Sequence, residues 1–190
     1  MLEVALMATF VSLLRGINVG GNKTIPMSRL KALHEALGFG SVKTHLNSGN
    51  VVFQTDEKDA AKLTRKIEAA LEKEFGFRPA VVLRNAAKLR KIVEKNPFAD
   101  MAKSDPSHLV AMFLASKPDK NAKARLAKAY SGVEEIRISG DIVYVTYPNG
   151  IGKSKLTNVF LEKQLGVTGT ARNWNTVTNL LQIAEAIESE

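Results

Sequence analysis

"VKTHLNSGNVVF", residues 42 to 53, decides the fold. Val42 to Leu46 alternates apolar with polar residues, Asn47-Ser48-Gly49 has turn chemistry, and Val51 to Phe53 resumes an apolar run, so the stretch predicts a β-hairpin. Upstream, Thr9 to Arg15 reads as a strand. Pro26, at a first helical turn, opens an amphipathic helix carrying Met27, Leu30, Leu33 and Leu37 until Gly38 stops it. Downstream, a helix from about Glu57 to Phe75 places Leu63, Ile67, Ala70, Leu71 and Phe75 on one face. A strand, Ala80 to Arg84, and a helix from Asn85 to about Lys95 complete the order β-α-β-β-α-β-α.

Residues 96 to 107, "NPFADMAKSDPS", hold two prolines and no periodicity, which marks a connection or a domain boundary. The same order then returns: strand 108–115, helix 118–130, strand 133–138, a turn at Ser139-Gly140-Asp141, strand 142–147, helix 153–165, strand 167–171 and helix 174–188. The expected architecture is α+β, with two tandem ferredoxin-like subdomains (split βαβ, β-α-β-β-α-β), each followed by an extra helix. Their expected bounds are residues 8–95 and 108–190, with 96–107 as linker. "TFVSLL" and "LVAMFLA" are apolar on both faces, which implies strands covered on both sides.

The 190 residues, 45% of them hydrophobic, suffice for a real core. The absence of cysteine excludes a disulfide framework, thiolate zinc sites and a cysteine nucleophile, and fits a reducing compartment, so a cytoplasmic location is expected. The apolar start, Val4 to Leu14, resembles a signal segment but lacks a preceding basic residue and a following small-residue cleavage site. Thr9 to Leu14 reads instead as a buried strand, with Met1 to Met7 as a short extension. No apolar run approaches the roughly 20 residues that span a bilayer, so no membrane partner is expected.

The net charge is +8 and unevenly placed: residues 1–95 hold 16 Lys and Arg against 9 Asp and Glu, whereas residues 108–190 hold 10 against 8. This balance serves solubility and also suits an acidic partner such as nucleic acid. "LLRGINVGGNK", residues 13 to 23, runs from a strand into three glycines between two cations. Gly16-x4-Gly21 followed by Asn22-Lys23-Thr24 misses a P-loop by one residue, but backbone N–H groups ahead of a helix can hold an anion without that motif. A tight turn that merely needs positive φ is the simpler alternative.

In a split βαβ unit, the loop after the first strand and the hairpin after the second share an edge. "GINVGGNK" and "NSGN" are therefore expected to be neighbours; in the second half the third and fourth strands also run parallel, which is expected to place "PNGIGKSK" (148–155) beside "TARNWN" (170–175) on the opposite edge. If these edges face one another, a cleft between the subdomains collects Arg15, Asn18, Gly20, Gly21, Lys23, Asn47, Ser48, Asn50, Lys153, Arg172, Asn173 and Trp174. The ligand expected there is phosphate-bearing, a nucleotide or nucleic acid. Asn173 suits an N-cap. Arg172, at a helix N-terminus, gains little without an anion. Trp174 is either a core anchor or a stacking surface.

Two alternatives stay open: an enzyme on a small phosphorylated or acyl substrate, with Asn47, Ser48, His45 or Lys23 moving protons, and a basic module that docks a protein. "GNVVFQT" and "DIVYVTY" lack the motifs of a base-stacking RNA-recognition sheet. His34, His45 and His108 show no metal or triad spacing, so no metal and no cofactor is expected.

"FVSLLRGINVGGNKTIPMSRLKALHEALGF", "VKTHLNSGNVVF" and "TARNWNTVTNLL" together resemble the signature stretches of the uncharacterised, mainly bacterial family catalogued as domain of unknown function 1697. The resemblance covers nearly the whole chain from Met7 onward, with three separated blocks in order. It implies two ferredoxin-like α+β subdomains and carries no established activity or catalytic set.

Overall fold

The computed structural model describes residues 7–190. The extension and the start of the signal-like run, Met1 to Leu6, lie outside the described residues. The chain forms two compact units, one comprising residues up to Lys91 together with Asn179–Glu190, the other Ile92–Thr178.

The first unit is built on β1 (Ala8–Leu14), whose residues from Thr9 onward are all buried, as their unbroken apolar pattern requires. β1 pairs antiparallel with β3 (Asn50–Thr55) on one side and with β4 (Val81–Asn85) on the other, and β3 pairs antiparallel with β2 (Gly40–His45). The sheet order is β2-β3-β1-β4, so β1 and β2 point the same way with β3 between them. Two helices cover one face. α1 (Met27–Ala36) contributes Leu30 and Leu33, and α2 (Ala60–Phe75) contributes Leu63, Ile67 and Leu71, against Phe10, Leu14, Val51 and Phe53 of the sheet. The Phe39 and Phe53 rings stack at 4.3 Å in this core. Asp59 caps α2, accepting from the Ala61 and Lys62 N–H groups, and Gly76 ends it at φ 75°. α3 (Ala86–Glu94) follows β4 directly.

The second unit repeats the plan with β5 (Leu109–Leu114), β6 (Ile136–Ser139), β7 (Ile142–Thr146) and β8 (Gly169–Asn173), ordered β6-β7-β5-β8 and antiparallel throughout. α5 (Ala122–Ala129) and α6 (Asn158–Leu165) supply Leu126, Leu161 and Leu165 to a core with Val110, Met112, Val143 and Val145. α7 (Trp174–Glu188) starts in this unit and ends in the first, where Arg90 of α3 meets Glu185 at 2.9 Å and Glu188 at 3.1 Å.

Two expected boundaries need correction. The segment read as a connection or domain boundary, with no element foreseen in it, contains a short helix, α4 (Ala99–Ser104), because Ala99 to Lys103 lie clear of both prolines. The helix expected from residue 153 begins only at Asn158, since the Thr157 hydroxyl caps it by accepting from the Phe160 N–H at 3.2 Å. Ile151–Lys153 forms a single 3-10 turn instead. No helix among the described residues is long and apolar enough to cross a membrane.

Candidate functional site

The glycine loop and the hairpin turn of the first unit do meet. Asn18, at φ 55°, donates from Nδ2 to the Ile25 carbonyl at 3.0 Å and to the Asn47 carbonyl at 2.7 Å, while its Oδ1 accepts from the Ile25 N–H at 2.7 Å. Between these anchors residues 18–23 fold into a miniature hairpin. The Asn18 N–H donates to Lys23 O, Val19 pairs with Asn22, and Gly20 and Gly21 form the tip at φ 61° and 77°. Positive φ at both tip positions is the demand of a type I′ turn, which explains the two adjacent glycines. The tip and Lys23 are exposed, whereas Arg15 is half-buried where its N–H joins Ala80 O.

Across the edge, Gly49 turns the hairpin at φ 78° and accepts at its carbonyl from the Leu14 N–H at 2.9 Å. Asn50 is fully buried and donates to His45 O at 2.8 Å and Ser48 Oγ at 2.9 Å, so its amide holds the turn together. Asn47 and Ser48 are exposed. Behind the loop lies the N-terminus of α1. Pro26 sits at its N-cap with no side-chain cap bond among the described residues, and Met27, Ser28 and Arg29 put no acid in its first turn. A pocket of about 330 Å³, lined by Asn18, Gly21, Thr24, Ile25, Met27 and Asn47, opens there.

The other expected residues lie in the second unit and differ in character. Asn173 caps α7, accepting at Oδ1 from the Asn175 N–H at 3.0 Å, and its Nδ2 donates to Ser107 O at 2.7 Å. Trp174 is only 4% exposed and lies 6.2 Å from the Tyr144 ring, which is the core-anchor alternative. Arg172 is 7% exposed and donates from Nη1 to Thr170 Oγ1 at 2.7 Å and Ala171 O at 2.9 Å, so it has protein partners and does not stand waiting for an anion. Burial lowers its pKa to about 10, leaving it charged at neutral pH. The same dipeptide ends β4: Arg84 donates to Leu83 O at 2.8 Å, and Asn85 Oδ1 accepts from the Lys88 N–H at 2.8 Å. The Arg-Asn strand ending is thus a repeated architectural device. Lys153 is exposed on its 3-10 turn.

One titratable pair had no signal in the sequence. Asp105 Oδ2 meets His108 Nδ1 at 2.5 Å, and the Ser107 hydroxyl donates to Asp105 Oδ1 at 2.6 Å. The Ser107 and then the His108 hydrogen bond hold the Asp105 carboxyl below its usual range. Among the described residues no three His, Cys, Asp or Glu converge as a metal site would require.

The described chain is therefore an α+β protein of two four-stranded antiparallel sheets and seven helices. It belongs to the family described as "Protein of unknown function (DUF1697)", whose profile matches residues 7–144. No curated protein matches it. Among solved structures it is similar to the conserved bacterial protein SP0830 from Streptococcus pneumoniae, with 21% identity and a TM-score of 0.75 over 94% of this chain and 99% of that one. At that identity the likeness speaks for the fold alone.

Proposed function

We propose that this protein binds a phosphate-bearing ligand, a nucleotide or a nucleic-acid segment, at the edge of the first unit where the 18–23 hairpin and the 46–49 turn flank the start of α1. The observation that carries this is the uncapped α1 N-terminus opening onto a pocket with no carboxylate among Asn18, Gly21, Thr24, Ile25, Pro26, Met27 and Asn47. Free N–H groups and the positive end of the helix dipole favour an anion there. Exposed Lys23 adds a positive charge, and the overall +8 favours encounter with a polyanion. Arg172 and Trp174, being buried, have no part in this site. The strand orders support reading each unit as ferredoxin-like, and the lack of cysteine supports a cytoplasmic setting.

Calorimetric and thermal-shift titrations with inorganic phosphate, nucleotides and short single-stranded oligonucleotides test it. At 100 times its dissociation constant a ligand of the native state raises stability by about 2.7 kcal/mol. The shift should shrink in Lys23→Ala and with added salt. Silence across these ligands overturns the proposal.

A second reading, an enzyme acting by proton transfer, is favoured by the Asp105–His108 pair. Asp105 orients the imidazole through Nδ1 and leaves Nε2 to face a substrate. Turnover of a phosphorylated or acyl compound that vanishes in His108→Gln supports it, and turnover unchanged in that variant removes it.

A further inference from the structure

The helices α5 and α6 lie side by side and antiparallel over one face of the second unit's sheet. Arg125 Nε of α5 donates to Gln164 O near the end of α6 at 3.0 Å, and at the opposite end the Tyr130 and Phe160 rings meet edge-on at 5.8 Å. Ala122 and Leu126 of α5 and Leu161 and Leu165 of α6 turn inward, so the opposite faces of both helices meet solvent. The positive charge of the unit is concentrated in this layer. Residues 117–128 and 153–163 hold 8 Lys and Arg against 2 Asp and Glu, whereas the remainder of residues 92–178 holds 4 against 6. Solubility alone is served by interspersed charges and does not call for that separation.

The carboxylates of the layer are occupied, and its lysines are not. Asp119 holds Arg125 at two points, Oδ1 accepting from Nη1 at 3.0 Å and Oδ2 from Nη2 at 2.7 Å. Half-buried Glu162 accepts from the Gly169 N–H at 2.9 Å. Beside the layer, half-buried Glu134 accepts from Tyr130 Oη and Ser154 Oγ. Lys120, Lys123, Lys128, Lys153, Lys155 and Lys163 are exposed, and none has an ion-pair partner among the described residues. Ala124 and Ala127, also exposed, stand between Lys123 and Lys128, so a broad partner can come close to the α5 backbone.

These features select a partner by chemistry. Unpaired ammonium groups spread over a surface meet phosphates as point charges. The 8 residues of α5 span about 12 Å, a length over which a duplex carries about seven phosphate charges. Single-strand binding relies on exposed aromatic platforms, whereas Phe160 and Tyr130 are half-buried against one another. The commonest contact that reads a base edge comes from arginine, and the layer's one arginine, Arg125, is already held by Asp119 and Gln164 O. Protein interfaces centre on aromatic and arginine anchors and are poor in lysine. A helix lying on a membrane needs a broad apolar face, and α5 exposes only alanines between its lysines. We infer that the α5–α6 layer docks the phosphate backbone of a nucleic-acid duplex without regard to base sequence. The surface belongs to the second unit and does not depend on the anion pocket at α1.

Fluorescence anisotropy with labelled duplexes of about 20 base pairs, read from about 0.05 to 0.3 M salt, tests this. The proteins are the wild type, Lys123→Ala/Lys128→Ala/Lys163→Ala, a control Lys58→Ala/Lys73→Ala/Lys103→Ala, and Lys23→Ala. The wild type should bind with a dissociation constant in the micromolar range at about 0.1 M salt, equally for two unrelated sequences. The first triple variant should weaken binding by about thirtyfold or more and flatten the salt slope by about 3. The control removes the same charge from exposed lysines elsewhere and should weaken it by less than about threefold. Lys23→Ala should change it by less than about twofold, which keeps failure here distinct from failure at the α1 pocket. The inference is overturned if no duplex binds below about 1 mM, if both triple variants lose affinity equally, or if Lys23→Ala abolishes duplex binding. It is equally overturned if the two sequences differ by more than about tenfold, if a single strand of the same length binds more tightly, or if polyglutamate or phosphatidylserine vesicles bind as tightly as the duplex.

Discussion

Asn18 and Asn47, 29 residues apart, are joined by a 2.7 Å hydrogen bond from the side-chain amide of the first to the backbone carbonyl of the second. Through that bond and two more to Ile25, one asparagine closes the 18–25 loop and docks it on the 46–49 turn. Asparagine is suited to the task because it tolerates φ 55° and brings a donor and an acceptor together. Asn18→Ala should lower stability by about 3 kcal/mol, from the lost bonds and the left-handed backbone. Asn18→Gly, which relieves the backbone and loses only the bonds, should cost about 2 kcal/mol. Urea unfolding of both variants measures the difference, and equal losses would assign the whole effect to the hydrogen bonds.

The glycines of the two turns differ in what surrounds them. At Gly20 an added Cβ meets nothing within 4 Å, so Gly20→Ala bears only the backbone strain of φ 61° and should cost about 1 kcal/mol. At Gly49 the same Cβ would lie 2.8 Å from both Leu14 Cβ and Ile17 Cδ1, buried residues that cannot retreat. Gly49→Ala should therefore cost about 3 kcal/mol or more, by overpacking added to strain. Thermal unfolding of the pair ranks them, and the reverse order would contradict this account of the turn.

His34 supplies a pH dependence. Its Nδ1 meets Leu30 O at 2.9 Å, its ring packs against Phe39 and Phe53, and it is completely buried. Burial lowers its pKa to about 4, against 6.5 in the unfolded chain, so the native ring is neutral. As pH falls below about 6.5 the unfolded state takes up the proton first, and stability drops until pH about 4, where the folded state is protonated too. The loss across that window is about 3 kcal/mol, and above pH 6.5 the group contributes no slope. Stability curves from pH 7.5 to 4 should show this fall in the wild type and a shallower one in His34→Leu.

The elements that were legible in the sequence are those whose signals are local. The 42–53 hairpin, the unbroken apolar β1 and β5, and the amphipathic α2 each announce themselves within a dozen residues. α4 gives no clear signal because its short helical stretch sits between Pro97 and Pro106, and the start of α6 is obscured because Gly152-Lys153 mimics a helix start that the Thr157 cap overrides. Asp105 and His108 meet only because the 3-10 turn at Pro106–His108 brings i and i+3 together. Glu134 and Ser154 are 20 residues apart and share no motif. The edge that joins Asn18 to Asn47 was foreseeable from strand order, whereas the inward turn of Arg172 was not, because a charge at a strand end looks the same in sequence whether it faces water or Thr170.

Arg172 and Lys23, both cations expected near a ligand, should separate cleanly on substitution. Arg172 is 7% exposed, and its Nη1 satisfies the Thr170 hydroxyl and the Ala171 carbonyl. Arg172→Ala removes a long buried stem and the hydrogen bonds it makes within β8, so it should destabilise by about 2–3 kcal/mol. Lys23 is exposed on a turn, and Lys23→Ala should alter stability by less than about 0.5 kcal/mol while weakening anion binding in a salt-dependent way. Unfolding followed by Trp174 emission is well placed to read the first effect, since that indole is buried against Tyr144 in the same unit as Arg172. If Arg172→Ala instead keeps full stability and loses anion binding, the guanidinium serves a ligand after all, and the anion site must be sought in the second unit.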